Sequence, residues 1–296
     1  MTHARAIHLS DSFRLVGAVD PDPVSRDLFL NEYKVRAYLS IEELYSHLSP
    51  DCWVIASSTE AHKGCIEQIL KYGEPKCILC EKPLSMDLSD AQTIVELCKS
   101  KNVKLYVNYM RRAAAHIQEI YSKIKNGRIA PPYKAVVWYS KGILHSGSHF
   151  FDLLTFLFGA VRDFTLINQG ENLCDYDSDP DCVVTFGESK VFFLSSREDN
   201  FKHFSVEVIA SNGRLRLENN GLGKWEPLEV HPLILGDMRL GAEAETINCD
   251  LSRVQTEVME QMALAMNHQQ HSLCAGECAL RNQEWISQII IESKRQ

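Results

Sequence analysis

Lys82 stands in the segment Glu81-Lys82-Pro83, directly after the apolar run of residues 77–80. Because the residue before a proline is pushed out of the α region, we expect Lys82 to be held extended where a buried strand ends. A desolvated lysine there can donate a hydrogen bond to a hydroxyl, stabilise negative charge or transfer a proton. A surface lysine in a turn is the alternative that so short a motif leaves open.

His149 and Asp152 form a second pair with possible chemistry. They lie three residues apart in the helix predicted over 147–158, so they share a helix face. Asp152 can orient the imidazole, which would make His149 a proton donor or acceptor near neutral pH. The alternative is a histidine at a helix start with an ordinary hydrogen bond.

Polar groups also follow two other predicted strands. Asp20 ends the first apolar run, where a carboxylate can bind a ribose 2′-hydroxyl and disfavour a 2′-phosphate. Three hydroxyl residues follow the strand predicted over 52–56 and suit a phosphate or ribose: Ser57, Ser58 and Thr59. The alternatives are a turn-starting aspartate and a plain helix N-cap.

Strand and helix patterns alternate in the elements that must position these side chains. Near-continuous apolar strands are predicted over 13–19, 35–38, 52–56, 77–80 and 103–107, with helices over 24–33, 41–48, 60–72 and 88–100. Such strands predict a parallel sheet covered on both faces, with a ligand beyond the carboxyl ends of the strands. We therefore expect Asp20, the three hydroxyl residues and Lys82 at one edge of one sheet.

The pattern changes after Asn108. Strands are predicted in series over 133–139, 163–168, 182–186, 191–195, 204–209 and 214–218, with helices over 113–126, 147–158, 253–268 and 277–292. The turn signals Gly187-Glu188 and Asn212-Gly213 favour antiparallel hairpins. We predict two domains, a parallel α/β domain over 1–110 and an α+β domain with a mainly antiparallel open sheet over 111–296.

Composition excludes several classes of function. The chain has 296 residues, is 45% hydrophobic and carries a formal net charge of −8, which argues against a nucleic-acid partner. Its most apolar stretch, 150–158, is too short for a membrane span and contains Asp152. The N-terminus lacks the apolar run of a signal peptide, so a cytoplasmic protein is expected.

Ten cysteines are present, and without other signs of secretion we expect reduced thiols. Cys77 and Cys80 form C-x-x-C, while Cys274 and Cys278 lie one helical turn apart, so a zinc site is conceivable. The first pair, however, lies inside a strand-like apolar run, where buried free cysteine is common. No metal is expected.

The segments 80–84 (CEKPL) and 147–154 (GSHFFDLL) together resemble the Gfo/Idh/MocA oxidoreductases. The resemblance extends to 16–23, to 54–59 with His62, and to 107–112. It implies a Rossmann domain that binds NAD, and a second domain whose open sheet often mediates homo-oligomerisation. It also implies hydride transfer between nicotinamide and a secondary alcohol or ketone of a sugar or nucleotide-sugar-like small molecule.

The resemblance implies roles for individual residues. Lys82 and His149 would be catalytic and face the reacting hydroxyl or ketone. The cofactor would be bound by Asp20, Ser57, Ser58, Thr59, His62, Glu81, Lys82 and Asn108. The substrate cleft would be lined by Tyr109, Arg111, Arg112, His145 and Asp152. The acidic Asp20 favours NAD over NADP.

Two departures from the family pattern matter. His145 stands where many sugar and polyol members carry an aspartate four residues before the histidine, so a proton relay through that carboxylate is not expected. Counting back about twenty residues from Asp20 places the glycine-rich turn at or before Met1. We therefore expect this chain to lack the first strand and the loop whose amides bind the pyrophosphate. Two alternatives stay open, a non-catalytic sugar-binding or oligomerising homologue and an NAD-dependent glycosidase.

Overall fold

A computed structural model describes residues 1–196, 203–218 and 221–295. The chain divides into two compact units, Met1–Met110 with Ser252–Arg281, and Arg111–Leu251 with Asn282–Gln296. No helix in the described ranges is both long and apolar enough to cross a membrane.

The helices of the described residues are α1 His3–His8, α2 Pro23–Tyr33, α3 Ile41–Tyr45, α4 His62–Tyr72, α5 Leu88–Ser100, α6 Ala115–Lys125, α7 Ser148–Phe158, α8 Val254–Met266 and α9 Gly276–Ser293. Shorter helical turns are Thr59–Ala61, Met110–Arg112 and the π-helical turn Ile143–Gly147. The strands are β1 Ala18–Val19, β2 Ala37–Tyr38, β3 Cys52–Ile55, β4 Cys77–Cys80, β5 Lys104–Val107, β6 Lys134–Tyr139, β7 Val161–Asn168, β8 Asn172–Cys174, β9 Asp177–Ser178, β10 Asp181–Phe186, β11 Ser189–Ser195, β12 Phe204–Ala210, β13 Gly213–Leu217, β14 Gly223–Val230, β15 Met238–Leu240, β16 Glu245–Ile247 and β17 Cys274–Ala275.

A parallel sheet of β3, β4 and β5 forms the centre of the first unit, with β17 added antiparallel to β5. All four residues of β4 are buried, which explains its unbroken apolar sequence. Helices α4 and α5 cover the sheet with buried side chains such as Ile66, Ile69 and Ile94. The predicted parallel α/β architecture is confirmed.

The prediction of one sheet for all the early strands is wrong in one respect. Strands β1 and β2 pair in parallel with each other and form a separate two-stranded sheet. Within the described residues, no strand pairs with both β1 and β3, so nothing joins the two sheets. Asp20 therefore follows a strand of the small sheet, not the edge that carries Ser57 and Lys82.

Residues 252–281 group with the first unit, whereas the sequence placed the whole of 111–296 in the second domain. The cause is a pairing between distant segments, because β17 sets Cys274 against Val107 and Ala275 against Tyr106. Local sequence patterns carry no information about such a pairing.

A large, mainly antiparallel sheet forms the second unit. Its order is β15-β14-β13-β12-β6-β11-β10-β7, with β16 also paired to β14, and β6 and β11 are the parallel neighbours. The hairpins predicted at Gly187 and Asn212-Gly213 join β10 to β11 and β12 to β13. Helix α7 packs Phe151 against Phe186 and Phe193, at ring-centroid distances of 5.7 and 4.8 Å.

Strand β14 was missed by the sequence predictions. It contains Pro227, which lacks the amide that a ladder needs and argues against an inner strand. In the structure β14 nevertheless pairs with β13 on one side and with β15 and β16 on the other.

Candidate active site

The carboxyl ends of β3, β4 and β5 bring three predicted site segments to one edge of the main sheet. Beyond the strands, the amide of Glu81 donates to Ile55 O at 3.0 Å and the amide of Asn108 donates to Cys80 O at 2.7 Å. These bonds extend the ladder by one residue and hold the two side chains side by side. Asn108 Nδ2 then donates to Glu81 Oε1 at 2.7 Å.

A closed ring of side chains fixes Glu81. Gln255 Nε2 lies 2.7 Å from His3 Nδ1, and His3 Nε2 lies 2.7 Å from Glu81 Oε1. Because the amide nitrogen can only donate, Nδ1 accepts and Nε2 carries the proton that it donates to Glu81. Asn108 completes the ring by donating to Gln255 Oε1 at 3.4 Å. His3 and Gln255 were not predicted, since they lie far from Glu81 in sequence and carry no local motif.

Burial opposes ionisation of Glu81, but the hydrogen bonds from His3 and Asn108 outweigh it. The pKa of Glu81 is therefore lowered below its ordinary value. A fixed, ionised carboxylate thus stands directly before Lys82.

Lys82 lies two residues beyond β4 and is partly exposed, and its amide donates to Glu81 Oε2 at 3.2 Å. The Lys82–Pro83 peptide bond is cis. Since Lys82 comes just after the buried strand β4, it lies at the predicted edge of the sheet. Its catalytic role stays a prediction.

His62 is almost fully buried, and its two ring nitrogens lie 3.2 Å from Leu84 O and 3.3 Å from Ser57 O. It therefore ties the loop after β3 to the loop after β4, which makes it a positioning residue for both. Ser57 and Ser58 are exposed, and Ser58 makes no side-chain cap bond to the turn that it precedes. The hydroxyl of Ser58 is thus available to a ligand, as is the partly exposed Thr59.

Asp20 follows β1, and its Oδ1 accepts the amide of Asp22 at 2.8 Å. This is the turn-starting arrangement that the sequence left open. Asp20 Oδ2 makes no hydrogen bond with any residue that the structure describes, so it can still accept a hydrogen bond from a ribose hydroxyl.

In the second unit, Asp177 organises the turn that leads to His149. Its carboxylate accepts the amides of Leu144, His145 and Ser178, each at 2.9 Å. A Cβ on Gly142, whose φ is +88°, would come within 2.0 Å of Asp177 Oδ2. Burial raises the pKa of Asp177, although these amides oppose the shift. Sequence reasoning missed Asp177, because its two-residue strand β9 is too short to leave a pattern in the sequence.

Arg112 and Asp152 form a buried, bidentate ion pair. Arg112 Nε donates to Asp152 Oδ2 and its terminal NH2 group contacts Oδ1, both at 2.7 Å. Asp152 therefore anchors α7, and its predicted role in orienting His149 stays a prediction. His149 itself lies in the first turn of α7 and is partly exposed, whereas His145 is exposed.

Arg111 presents a cation on the second unit. Its guanidinium carbon lies 3.4 Å from the centroid of Phe204, whose ring stacks on Phe150 at 4.0 Å. Its Nε is buried without a hydrogen-bond partner among the described residues. Burial lowers the pKa of Arg111 to about 10, and burial and this charge lower the pKa of His116 to about 4. Tyr109, in the first unit, is buried.

Groups on the first unit fit the nicotinamide end of a dinucleotide. Asn108 Oδ1 is buried without a partner among the described residues, so it can accept hydrogen bonds from a ligand. Glu81 is partly exposed and ionised beside it. No G-x-G-x-x-G segment occurs in residues 1–296, so no residue of this chain is assigned to the pyrophosphate. Among the described residues, no cluster of three histidine, cysteine or acidic side chains could hold a metal ion.

Residues 1–109 match the family model described as Gfo/Idh/MocA, an oxidoreductase family with an NAD-binding Rossmann fold. This segment belongs to the Gfo/Idh/MocA oxidoreductases. The resemblance drawn from residues 80–84 and 147–154 is confirmed, as is the Rossmann-like fold of the first unit.

Two curated relatives extend the match beyond the Rossmann segment. Inositol 2-dehydrogenase of Rhizobium meliloti is 26% identical over 240 residues, which cover 73% of this chain and 72% of that enzyme. Myo-inositol 2-dehydrogenase of Thermotoga maritima is 28% identical over 207 residues, which cover 62% of this chain and 61% of that enzyme.

A solved structure shares the fold over almost the whole chain. The WlbA dehydrogenase of Bordetella pertussis, in complex with NADH and UDP-GlcNAcA, gives a TM-score of 0.76 at 17% identity. The match covers 99% of this chain and 92% of that chain. At this identity the likeness shows the fold alone.

Proposed function

We propose that this protein is an NAD-dependent dehydrogenase or reductase that acts on a secondary alcohol or ketone of a sugar, polyol or nucleotide-sugar-like small molecule. The observation that carries the proposal is the set of polar residues at the carboxyl ends of β3, β4 and β5, where such sheets bind ligands. There the ionised Glu81 and the open Asn108 Oδ1 stand beside Lys82. The inositol dehydrogenases among the relatives support a polyol or sugar substrate.

The nicotinamide ribose would be held by Glu81 and Asn108, with Ser57, Ser58 and Thr59 available to other parts of the cofactor. When bound, the nicotinamide supplies or accepts the hydride. Asp20 favours NAD, because its open Oδ2 can accept a ribose hydroxyl and its charge repels a 2′-phosphate.

Lys82 and His149 are proposed to handle the substrate oxygen. The ammonium of Lys82 donates a hydrogen bond to that oxygen and stabilises negative charge on it, while His149 takes or returns the proton. The buried pair of Arg112 and Asp152 fixes α7 and so the position of His149. Arg111 is proposed to contact polar or anionic groups of the substrate, because its cation has no acidic partner among the described residues.

We also propose a cytoplasmic homo-oligomer that assembles through the outer face of the large sheet. Trp138 on β6 and Ile209 on β12 point away from the buried face and are 43% and 50% exposed. Apolar side chains on an open sheet suit a contact between copies of the chain.

The proposal is tested by incubating the protein with NAD and a panel of polyols, sugars and nucleotide sugars while NADH absorbance is followed. Net accumulation of NADH supports a dehydrogenase. Substrate cleavage without net NADH indicates the glycosidase alternative. The absence of both turnover and cofactor binding indicates a non-catalytic homologue.

Variants tie the reaction to the site. Replacing Lys82 with alanine should lower kcat by at least about 100-fold while the fold is retained, since positioned proton donors contribute at least this much. Lys63→Ala is the matched control, because Lys63 forms only a partly exposed ion pair with Asp90. Equal kcat values for the two variants would refute the role of Lys82.

A further inference from the structure

Two cysteines from neighbouring strands meet at the end of the main sheet opposite the candidate active site. Cys52 and Cys77 begin β3 and β4 and are direct partners in the parallel register. Their sulfur atoms lie 3.2 Å apart, with Cys77 donating to Cys52. Met266 of α8 places its sulfur 3.7 Å from Cys52. The proposed function uses none of these residues.

The structure changes how the sequence motif is read. Cys77 and Cys80 lie three residues apart in one strand, so their side chains point to opposite faces of the sheet. The C-x-x-C spacing therefore does not produce a pair. Cys77 pairs instead with Cys52, which is 25 residues away in sequence.

The two thiols are unequal in accessibility and acidity. Cys52 is partly exposed, whereas Cys77 is fully buried. The hydrogen bond from Cys77 lowers the pKa of Cys52 despite burial, while the nearby charges of Asp51 and Lys76 act in opposite directions. The same bond together with burial raises the pKa of Cys77. Cys52 is therefore the thiol that can attack an oxidant from solvent, and Cys77 is the second, buried thiol beside it.

The backbone geometry suits a bond between the two sulfur atoms. Neighbouring strands lie about 4.8 Å apart, within the roughly 4.4–6.8 Å that disulfides span between Cα atoms. The sulfur atoms, now 3.2 Å apart, would need to approach by about 1 Å to reach bonding distance. Side-chain rotation supplies such a movement without displacing the strands.

We propose that Cys52 and Cys77 form a dithiol modification site that glutathione disulfide, or a similar small disulfide, converts reversibly to an intramolecular disulfide. The Cys52 thiolate attacks one sulfur of the oxidant, whose S–S bond breaks and releases one glutathione thiolate. Cys77 then passes its proton to a leaving thiolate and attacks Cys52 Sγ, which releases the second glutathione. Two protein thiols lose two electrons in total, and one small disulfide is reduced to two thiols.

Cys52 and Cys98 should react with the oxidant at different rates, because their surroundings differ. Burial raises the pKa of Cys98 to about 12, whereas the hydrogen bond from Cys77 lowers the pKa of Cys52. Cys98 is also buried, while Cys52 is partly exposed. Cys52 should therefore react with glutathione disulfide faster than Cys98.

The test incubates the full-length, folded chain with glutathione disulfide, blocks the remaining thiols with N-ethylmaleimide and maps the products by non-reducing mass spectrometry. We expect one cross-linked peptide that joins Cys52 to Cys77 and disappears with excess reduced glutathione. In Cys77→Ser the glutathione should stay on Cys52, and in Cys52→Ser neither product should form. Cys98→Ser is the matched control and should behave as the parent chain does.

Three outcomes would overturn the inference. These are an unmodified Cys52, a Cys52 joined to a different cysteine, and a mixed disulfide that persists on Cys52 while Cys77 is intact. Circular dichroism of each variant shows that it is folded, and Cys52→Ala replaces Cys52→Ser if the latter is not. The inference does not depend on the proposed dehydrogenase activity, and the assay contains no nicotinamide cofactor.

Discussion

Replacing Asp152 with alanine is expected to destabilise the second unit strongly, because the change leaves a buried guanidinium without its carboxylate. The side chains of Arg112 and Asp152 are 8% and 1% exposed and are joined by a bidentate contact at 2.7 Å. Removing one partner of such a buried pair costs about 3–5 kcal/mol. We expect a loss of this size in the free energy of unfolding, measured by urea titration followed by tryptophan fluorescence, since three of the four tryptophans (Trp138, Trp225 and Trp285) belong to this unit.

Two controls separate the charge effect from other causes. Glu292→Ala removes a pair with Arg295 in the same unit, in which the side chains are 47% and 71% exposed, and it should leave the urea midpoint unchanged. The double variant Arg112→Met with Asp152→Leu should recover most of the stability, because no charge remains buried. A loss below about 1 kcal/mol in Asp152→Ala would refute the reasoning. A change confined to the pH profile of turnover would instead assign Asp152 to catalysis through His149.

Three further predictions follow from the same structure. Hydrogen bonds hold the pKa of folded Glu81 below its ordinary value of 4.5. The stability that this carboxylate contributes is therefore present above pH 4.5 and is lost as pH falls through the lower pKa of the folded state. Glu81→Gln should flatten that part of a plot of urea midpoint against pH. Replacing Asp20 with asparagine should lower the ratio of NAD to NADP affinity at least about tenfold, measured by parallel calorimetric titrations, because one repelling charge is removed. Gly142→Ala should cost about 1–3 kcal/mol of stability from backbone strain, and more from the contact of the added Cβ with Asp177. Gly127→Ala is the control, because Gly127 also has a positive φ but its added Cβ would meet no other atom, so it should show only the cost of strain.

The main sheet was readable from sequence because its strands are short, apolar and buried on both faces. The predicted strands 52–56, 77–80 and 103–107 differ from the observed β3, β4 and β5 by one residue at most at either end. The strand-end positions of Ser57, Glu81, Lys82 and Asn108 followed directly, since a parallel sheet gathers the carboxyl ends of its strands on one edge.

The contacts that fix the site were not readable, because they join distant segments without a motif. His3 and Gln255, which hold Glu81, are 252 residues apart in the chain. Asp177 supports the turn before α7 from the short strand β9, more than thirty residues downstream, as its bond to Leu144 shows. For the same reason, Cys77 was matched to its sequence neighbour Cys80 and not to its strand neighbour Cys52.

The ring around Glu81 also decides what that carboxylate can still bind. A carboxylate offers about four lone-pair positions, and here it already accepts from His3, Asn108 and the amide of Lys82. One position therefore remains for a ribose hydroxyl. The amide nitrogen of Asn108 donates hydrogen bonds to Glu81 and Gln255. Its Oδ1 accepts no hydrogen bond from any described residue, so both lone pairs of that oxygen remain open. Asn108 Oδ1 therefore offers a ligand at this edge of the sheet more open acceptor positions than Glu81 does, whereas the ionised Glu81 forms the stronger single bond.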